Sequence, residues 1–175
     1  MKVWFDWRLE GLERAAQAGI GQLGLGIFLG LAPALADLRA LAGHADYLLA
    51  RFADAKFAFS LPRLHDAPAP FVPPCPVDDD TLVRFYCALR LSFPRAQLVL
   101  STRERPELHN RLANICITQM SAESCTSPGG YGSPDAKSGS GAQFPVHDQR
   151  TAVETAQWLT QSGFKVCFED EHVRA

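Results

Sequence analysis

Four short apolar runs punctuate this chain, at residues 21–28, 56–61, 97–100 and 115–120. Around and between them, apolar positions recur at the three- and four-residue spacing of amphipathic helices. The helical stretches are 8–18, 33–53, the segment running to Phe93 behind Asp78, Asp79 and Asp80, 106–114, and 151–162. In the first, Leu9, Leu12, Ala15 and Ala16 form one stripe, and Gly19 stands where a helix C-cap favours glycine. The acids at 78–80 suit the positive end of the dipole of the helix they precede. The run at 21–28 is almost continuously apolar, which predicts a parallel strand covered on both faces. Residues 66–76 are proline-rich and predict an extended loop. Residues 127–143, rich in Gly, Ser and Pro, predict a mobile one, and residues 164–169 suit a last short strand.

Helix and strand alternate in regular order, which predicts a parallel α/β sheet with helices outside. Two architectures satisfy that order: a small open doubly wound sheet, or about four units of a (β/α) barrel. With 175 residues the chain falls short of the ~250 a complete barrel takes. The polar residues favour the half barrel. The third strand ends in Ser101-Thr102-Arg103-Glu104 and the fourth in Ser121-Ala122-Glu123-Ser124. Strand carboxyl ends are where barrels build their active sites. Residues 1–131 are assigned to the half barrel, and residues 132–175 to a loop and a helix-containing tail packed on it. A half barrel has two raw strand edges, so the chain alone is expected to associate unless a partner completes it.

A formal net charge of -2 offers nothing to nucleic acid or an acidic membrane surface. The longest apolar stretch, 20–35, is interrupted by glycines, Gln22 and Pro33 and is shorter than the ~20 residues of a membrane span. The N-terminal MKVWFDWRLE is not a signal peptide. Five cysteines, Cys75, Cys87, Cys116, Cys125 and Cys167, are scattered with no CxxC pair, which points to a reducing, cytoplasmic setting. Cys87 and Cys116 read as buried small hydrophobes. The histidines His44, His65, His109, His147 and His172 show no metal-ligand spacing and read as surface residues. No residue is assigned as a metal ligand.

Residues 101–131, with STRE, then PEL, a short apolar strand and TQMSA-x-S-x-T-x-PGGY, resemble the C-terminal half of the radical-SAM aromatic amino acid lyases. Arg8-Leu9-Glu10, Glu13-Arg14-Ala15 and AGI…GLGIFLGL are similar to the segment before and through that family's fifth strand. Ser60-Leu61-Pro62-Arg63-Leu64 is similar to its sixth strand end, and Gln143-Phe144 with the helix from Thr151 to its tail. The resemblance implies the C-terminal half of a radical-SAM type barrel: about four parallel strands, outer helices and a short tail. It implies a lyase whose complete form uses S-adenosylmethionine and a 4Fe–4S cluster to split the Cα–Cβ bond of tyrosine. The products would be 2-iminoacetate and p-cresol, for the thiazole of thiamine. The superfamily holds its cluster with C-x3-C-x2-C, which this chain lacks. The chain alone is therefore expected to be inactive and to need an N-terminal half, with a thiazole-forming partner as a further association. Two alternatives stand beside this: a related lyase acting on tyrosine for hydrogenase maturation or on tryptophan, and a catalytically inert half-barrel that complements another chain.

No catalytic residue is assigned; the candidates are binding residues. Arg103 offers a planar fork that grips a carboxylate bidentately, as lysine cannot. The resemblance implies that it holds the substrate carboxylate, against a plain ion pair with Glu104 or a neighbour. Ser121 would be a supporting donor, against a loop cap; Ser124 reads as a loop cap. Glu123 stands where the family usually has glycine, so the backbone there must accommodate a side chain. Arg8 resembles the arginine that meets the carboxylate of S-adenosylmethionine, against an exposed arginine at a helix start. Gly24 and Gly26, with Gly21, do not make G-x-G-x-x-G. The resemblance implies that they leave room for the adenosyl group, against close packing of strand and helix. Residues 127–130 suit a phosphate cradle or, more simply, a turn. Arg63 is expected to pair with Asp66.

Overall fold

The computed structural model describes residues 4–64, 71–128, 130 and 144–168. Their order is α1 (Phe5–Leu9), α2 (Gly11–Gln17), β1 (Gln22–Gly26), α3 (Ala34–Arg51), β2 (Lys56–Ser60), α4 (Asp79–Ser92), β3 (Gln97–Leu100), α5 (Pro106–Ala113), β4 (Gln119–Met120) and α6 (Ala152–Gln161). The four strands are all parallel and lie in the order β1-β2-β3-β4. Right-handed crossovers between strands added in one direction put every connecting helix on the same face. A doubly wound sheet reverses its order and carries helices on both faces. The sequential order is that of a barrel segment.

One-sided covering follows from the residues themselves. Leu23, Leu25, Phe57, Phe59, Leu98 and Leu100 alternate along the strands and are buried. They share a core with Leu38, Leu41 and Leu48 of α3, Leu82, Tyr86 and Leu89 of α4, and Leu108 and Leu112 of α5. The opposite face carries small or polar residues: Gln22, Gly24 and Gly26 on β1 are exposed. The expectation that β1 is covered on both faces is thus corrected, because only its leucines have helices against them. Gln22 and Gln97 bridge this open face, the Nε2 of the first donating to the Oε1 of the second at 2.9 Å.

Helix ends fall where capping chemistry puts them. Gly19, at φ 89°, closes α2 with its own amide bonded to Ala16 and that of Ile20 bonded to Ala15, a Schellman arrangement. Asp78 accepts from the Thr81 amide at 2.7 Å to cap α4. Thr151 and Glu154 form a capping box on α6.

Three boundaries differ from expectation. The helix expected over 8–18 is two helices, broken at Glu10. The strand expected at 115–120 shrinks to Gln119–Met120, because the amides of Ile115, Cys116 and Ile117 all bond the Leu112 carbonyl and wind that stretch onto the end of α5. Residues 164–168 form no strand. Residues 66–70 of the proline-rich loop and most of 127–143 lie outside the described residues.

Candidate functional site

The loop leaving β3 is the most constrained polar feature of the strand carboxyl ends. Thr102 and Glu104 are buried within it although both are polar. Glu104 is held by Arg63, which follows β2: Arg63 Nε lies 3.0 Å from Oε1 and a terminal nitrogen 2.6 Å from Oε2. Arg63 also donates to the Val77 carbonyl at 2.8 Å and to Asp79 at 2.5 Å. Burial disfavours the Arg63 charge, but the bonds to Glu104 and Asp79 outweigh it and raise the pKa above the ordinary guanidinium value. The partner expected for Arg63, Asp66, lies outside the described residues.

Arg103 is left out of this network. Its guanidinium carbon lies 3.6 Å from the centre of the Phe144 ring and 5.2 Å from that of Phe28. Among the described residues its side chain makes no hydrogen bond or ion pair. Partial burial lowers its pKa, with Glu104 nearby acting the other way. The Arg103–Glu104 ion pair is not formed, because Arg63 occupies both Glu104 oxygens. A cavity of about 870 Å³ lies alongside, bordered by Arg103, Glu104, Arg63, Asp79 and His147.

Residues 144–150 cross the same strand ends from the far side of the sequence. The Thr102 carbonyl accepts the amides of His147 and Asp148 at 2.9 and 3.1 Å. The Thr126 hydroxyl donates to the Phe144 carbonyl at 2.8 Å. Asp148 is 2% exposed and lies against His109, which is fully buried, with Oδ2 2.9 Å from Nδ1 but out of line for a hydrogen bond. His109 Nε2 is 2.8 Å from the Ser101 carbonyl, an acceptor only, so that nitrogen carries the proton. Arg150 clasps both Asp148 oxygens and donates to Asn110 at 3.0 Å. His109 is thus no surface histidine, as the sequence had suggested; it is a core residue wedged between a strand end and the tail.

The other candidates are placed as follows. The Ser121 amide bonds the Leu100 carbonyl at 2.9 Å, extending the β3–β4 ladder, while its half-buried hydroxyl makes no hydrogen bond among the described residues. Glu123 adopts φ 53°, the left-handed region that glycine favours. Its carboxylate accepts from the Ala152 amide at 3.3 Å, at the positive end of α6. Arg8 is exposed on α1, and no side-chain hydrogen bond or ion pair among the described residues ties it to the β3 loop. Gly24 opens onto the uncovered face, where an added Cβ would meet nothing within 4 Å. At Gly26 a Cβ would fall 2.8 Å from the Ser60 carbonyl, so the close neighbour is the next strand and not a helix. Gly130 donates to the Ser127 carbonyl at 3.0 Å, as in a turn. Among the described residues no three His, Cys, Asp or Glu side chains are grouped to hold a metal.

Phe144, Asp148, Arg150 and His109 went unread in the sequence as site residues. The only local signals were an aromatic in a Gly/Ser-rich stretch and an Asp-x-Arg pair.

Residues 60–165 match the family described as Biotin and Thiamin Synthesis associated domain. The chain is 35% identical to the 2-iminoacetate synthase of Escherichia coli K12 over 169 residues, which is 95% of this chain and 44% of that protein. The Salmonella typhimurium 2-iminoacetate synthase is 33% identical over the same shares. Among solved structures, the FeFe-hydrogenase maturase HydG from Carboxydothermus hydrogenoformans superposes with a TM-score of 0.83 at 34% identity, covering 95% of this chain and 38% of that one. A second HydG structure gives 0.79 at 31%, over 91% of this chain and 34% of its own. The chain thus spans less than half the length of the relatives it matches.

Proposed function

This chain belongs to the Biotin and Thiamin Synthesis associated domain family, and on that footing we propose that it is the substrate-carboxylate side of a radical-SAM tyrosine lyase of the 2-iminoacetate synthase kind. The reaction is cleavage of the tyrosine Cα–Cβ bond to 2-iminoacetate and p-cresol, for thiazole formation in the cytoplasm. The observation that carries the reading is Arg103: a half-buried guanidinium at a strand carboxyl end, with aromatic rings beside it and no hydrogen-bond or ion-pair partner among the described residues. Such a group binds a carboxylate through two parallel N–H···O bonds. The Ser121 hydroxyl, at the end of the neighbouring strand, is the supporting donor.

The residues present do not fit a 4Fe–4S cluster. The described cysteines are dispersed and no metal-holding group is formed among the described residues. In this reading a cluster would be held by the portion of the relatives that this chain does not span. S-adenosylmethionine fits better, since Gly24 leaves the uncovered sheet face open where a side chain would fill it. When bound, it supplies the hydrogen abstraction that starts such lyase reactions. Gly24 and Gly26 would border its adenosyl group and Arg8 its carboxylate. This chain's own work is to bind and orient tyrosine and to keep water from its carboxylate.

The test is Arg103→Lys in the chain completed with the cluster-bearing portion of the Escherichia coli relative. Loss of the planar fork should weaken tyrosine by roughly 10–150-fold, the equivalent of ~1.5–3 kcal/mol, and leave S-adenosylmethionine binding intact. Unchanged tyrosine affinity, or equal weakening of both ligands, would overturn the assignment. A second reading, tyrosine cleavage for hydrogenase maturation, is favoured by the superposition on HydG. Restoring thiazole formation in cells lacking 2-iminoacetate synthase would separate the two.

A further inference from the structure

We propose that residues 144–150 form a strap that belongs to the substrate site, with Phe144 as a positioning residue that presets Arg103 and Asp148 as its latch. This rests on the reading of Arg103 as the carboxylate ligand and adds what holds it ready. A long arginine side chain loses rotamer entropy when it binds, so a preset fork binds more tightly than a free one. Arg103 has no acid to fix it, because Glu104 is bonded to Arg63. Phe144 takes that role. With its central carbon 3.6 Å from the ring centre, the guanidinium lies on the ring face. Stacking uses the face of the cation and leaves its N–H groups free around the edge, where a carboxylate is gripped. An anionic partner would have fixed Arg103 equally well but would have consumed those donors.

The backbone that carries the ring is itself held from both sides. Upstream in space, the Thr126 hydroxyl bonds the Phe144 carbonyl, tying it to the loop after β4. Downstream, the His147 and Asp148 amides bond the carbonyl of Thr102, the residue just before Arg103. The Asp148 carboxylate then enters the core, between His109 and Arg150, and Arg150 reaches Asn110 beside His109 on α5. The strap is therefore fastened to the two loops and the helix that frame Arg103. A buried carboxylate is tolerated only where it is paired, so docking of the strap and formation of the Asp148–Arg150 pair go together.

The test has two arms. In the full chain, the Arg103 Nε–H resonance should show an upfield ring-current shift that is lost in Phe144→Leu and kept in Phe144→Trp. In the enzyme completed with the cluster-bearing portion, affinities are compared for L-tyrosine and for tyramine, which lacks the carboxylate. Phe144→Leu should weaken tyrosine about 3–30-fold while sparing tyramine, and Phe144→Trp should restore it. If Phe144→Leu does not fold, Asp148→Asn, which loosens the latch and keeps the ring, should show the same selective loss. Parallel loss of tyrosine and tyramine, or tyrosine affinity equal to the parent's, would overturn the proposal. Arg103→Lys separates it from the reading beneath: no effect of that change removes both, whereas an effect there with none in Phe144→Leu removes the strap alone.

Discussion

Arg63 holds both carboxylate oxygens of Glu104, at 3.0 and 2.6 Å, and Glu104 is the immediate neighbour of Arg103. The consequence is a division of labour between two arginines at adjacent strand ends. One is 3% exposed, bonded to Glu104, Asp79 and a carbonyl, and serves the fold. The other, Arg103, has no hydrogen-bond or ion-pair partner among the described residues. Had Glu104 turned to Arg103, the site would hold a neutralised pair and Arg63 would keep only Asp79 and the Val77 carbonyl.

That geometry predicts an asymmetric response to mutation. Arg63→Met should cost ~3–5 kcal/mol, because the guanidinium that holds both oxygens of the buried Glu104 is removed. The double change Arg63→Met with Glu104→Leu should recover most of that loss, since an apolar pair of similar size fills the same space. Urea denaturation of the chain and both variants measures this. Equal destabilisation by the single and double changes would mean that the guanidinium's packing, and not the charge pair, is what matters.

Tyr86 makes the second prediction. It is 1% exposed on α4; its hydroxyl accepts from the Leu61 amide at 3.2 Å and donates to the Val99 carbonyl at 2.8 Å, joining β2 to β3. Burial pushes its pKa well above the ordinary phenol value of 10.0. Tyr86→Phe keeps the ring but strands both backbone groups, for an expected loss of ~1–3 kcal/mol. Spectrophotometric titration should show one tyrosine that ionises only as the protein unfolds, and that step should vanish in Tyr86→Phe.

Cys116 should be the slow thiol. Burial, with Cys87 beside it, pushes its pKa up to about 11 from 9.0, so little thiolate exists at neutral pH. Cys167 is exposed. Alkylation at pH 8 followed by peptide mass spectrometry should label Cys167 first and Cys116 last. Early labelling of Cys116 would mean that the end of α5 opens readily.

Much of the fold was legible because period and capping agree in this sequence. Gln97–Leu100 stands where its short apolar run predicts a strand, and α3, α4 and α6 lie within a residue or two of expectation. The failures have a common cause. Ile115, Cys116 and Ile117 are apolar in a row, which suits a strand, but hydrogen bonding to one carbonyl of α5 claimed them first. Likewise β1 looked two-sided because glycine carries no polarity with which to mark an open face. Arg103 was legible as a candidate binding residue because it follows a strand. The strap was not, because its meaning depends on contacts across about forty residues, from Arg150 back to Asn110. Glu123, at a position where glycine is expected, is accommodated by a left-handed backbone and a carboxylate at the start of α6.

The latch at Asp148 gives the last prediction, in acid. Burial pushes this carboxyl up, but hydrogen bonds from the Arg150 side chain and amide, with His109 and the Arg150 charge, outweigh burial and hold it below its ordinary value of 3.8. A carboxyl whose folded pKa is depressed binds its proton more readily in the unfolded chain. Its contribution to stability is therefore fully present above about pH 4 and is lost as pH falls through the folded value. Asp148→Asn lacks that ionisation. At pH 7 it should be less stable than the parent by ~1.5–3 kcal/mol, the typical worth of a charged hydrogen bond. Asp79, also depressed by Arg63 and Arg105 against burial, remains in both proteins and cancels from the comparison. The gap in urea midpoint should be constant from pH 7 down to about pH 5 and then close below pH 4. A gap that persists unchanged into strong acid would show that Asp148 acts through shape and neutral hydrogen bonds, and that its charge does not fasten the strap.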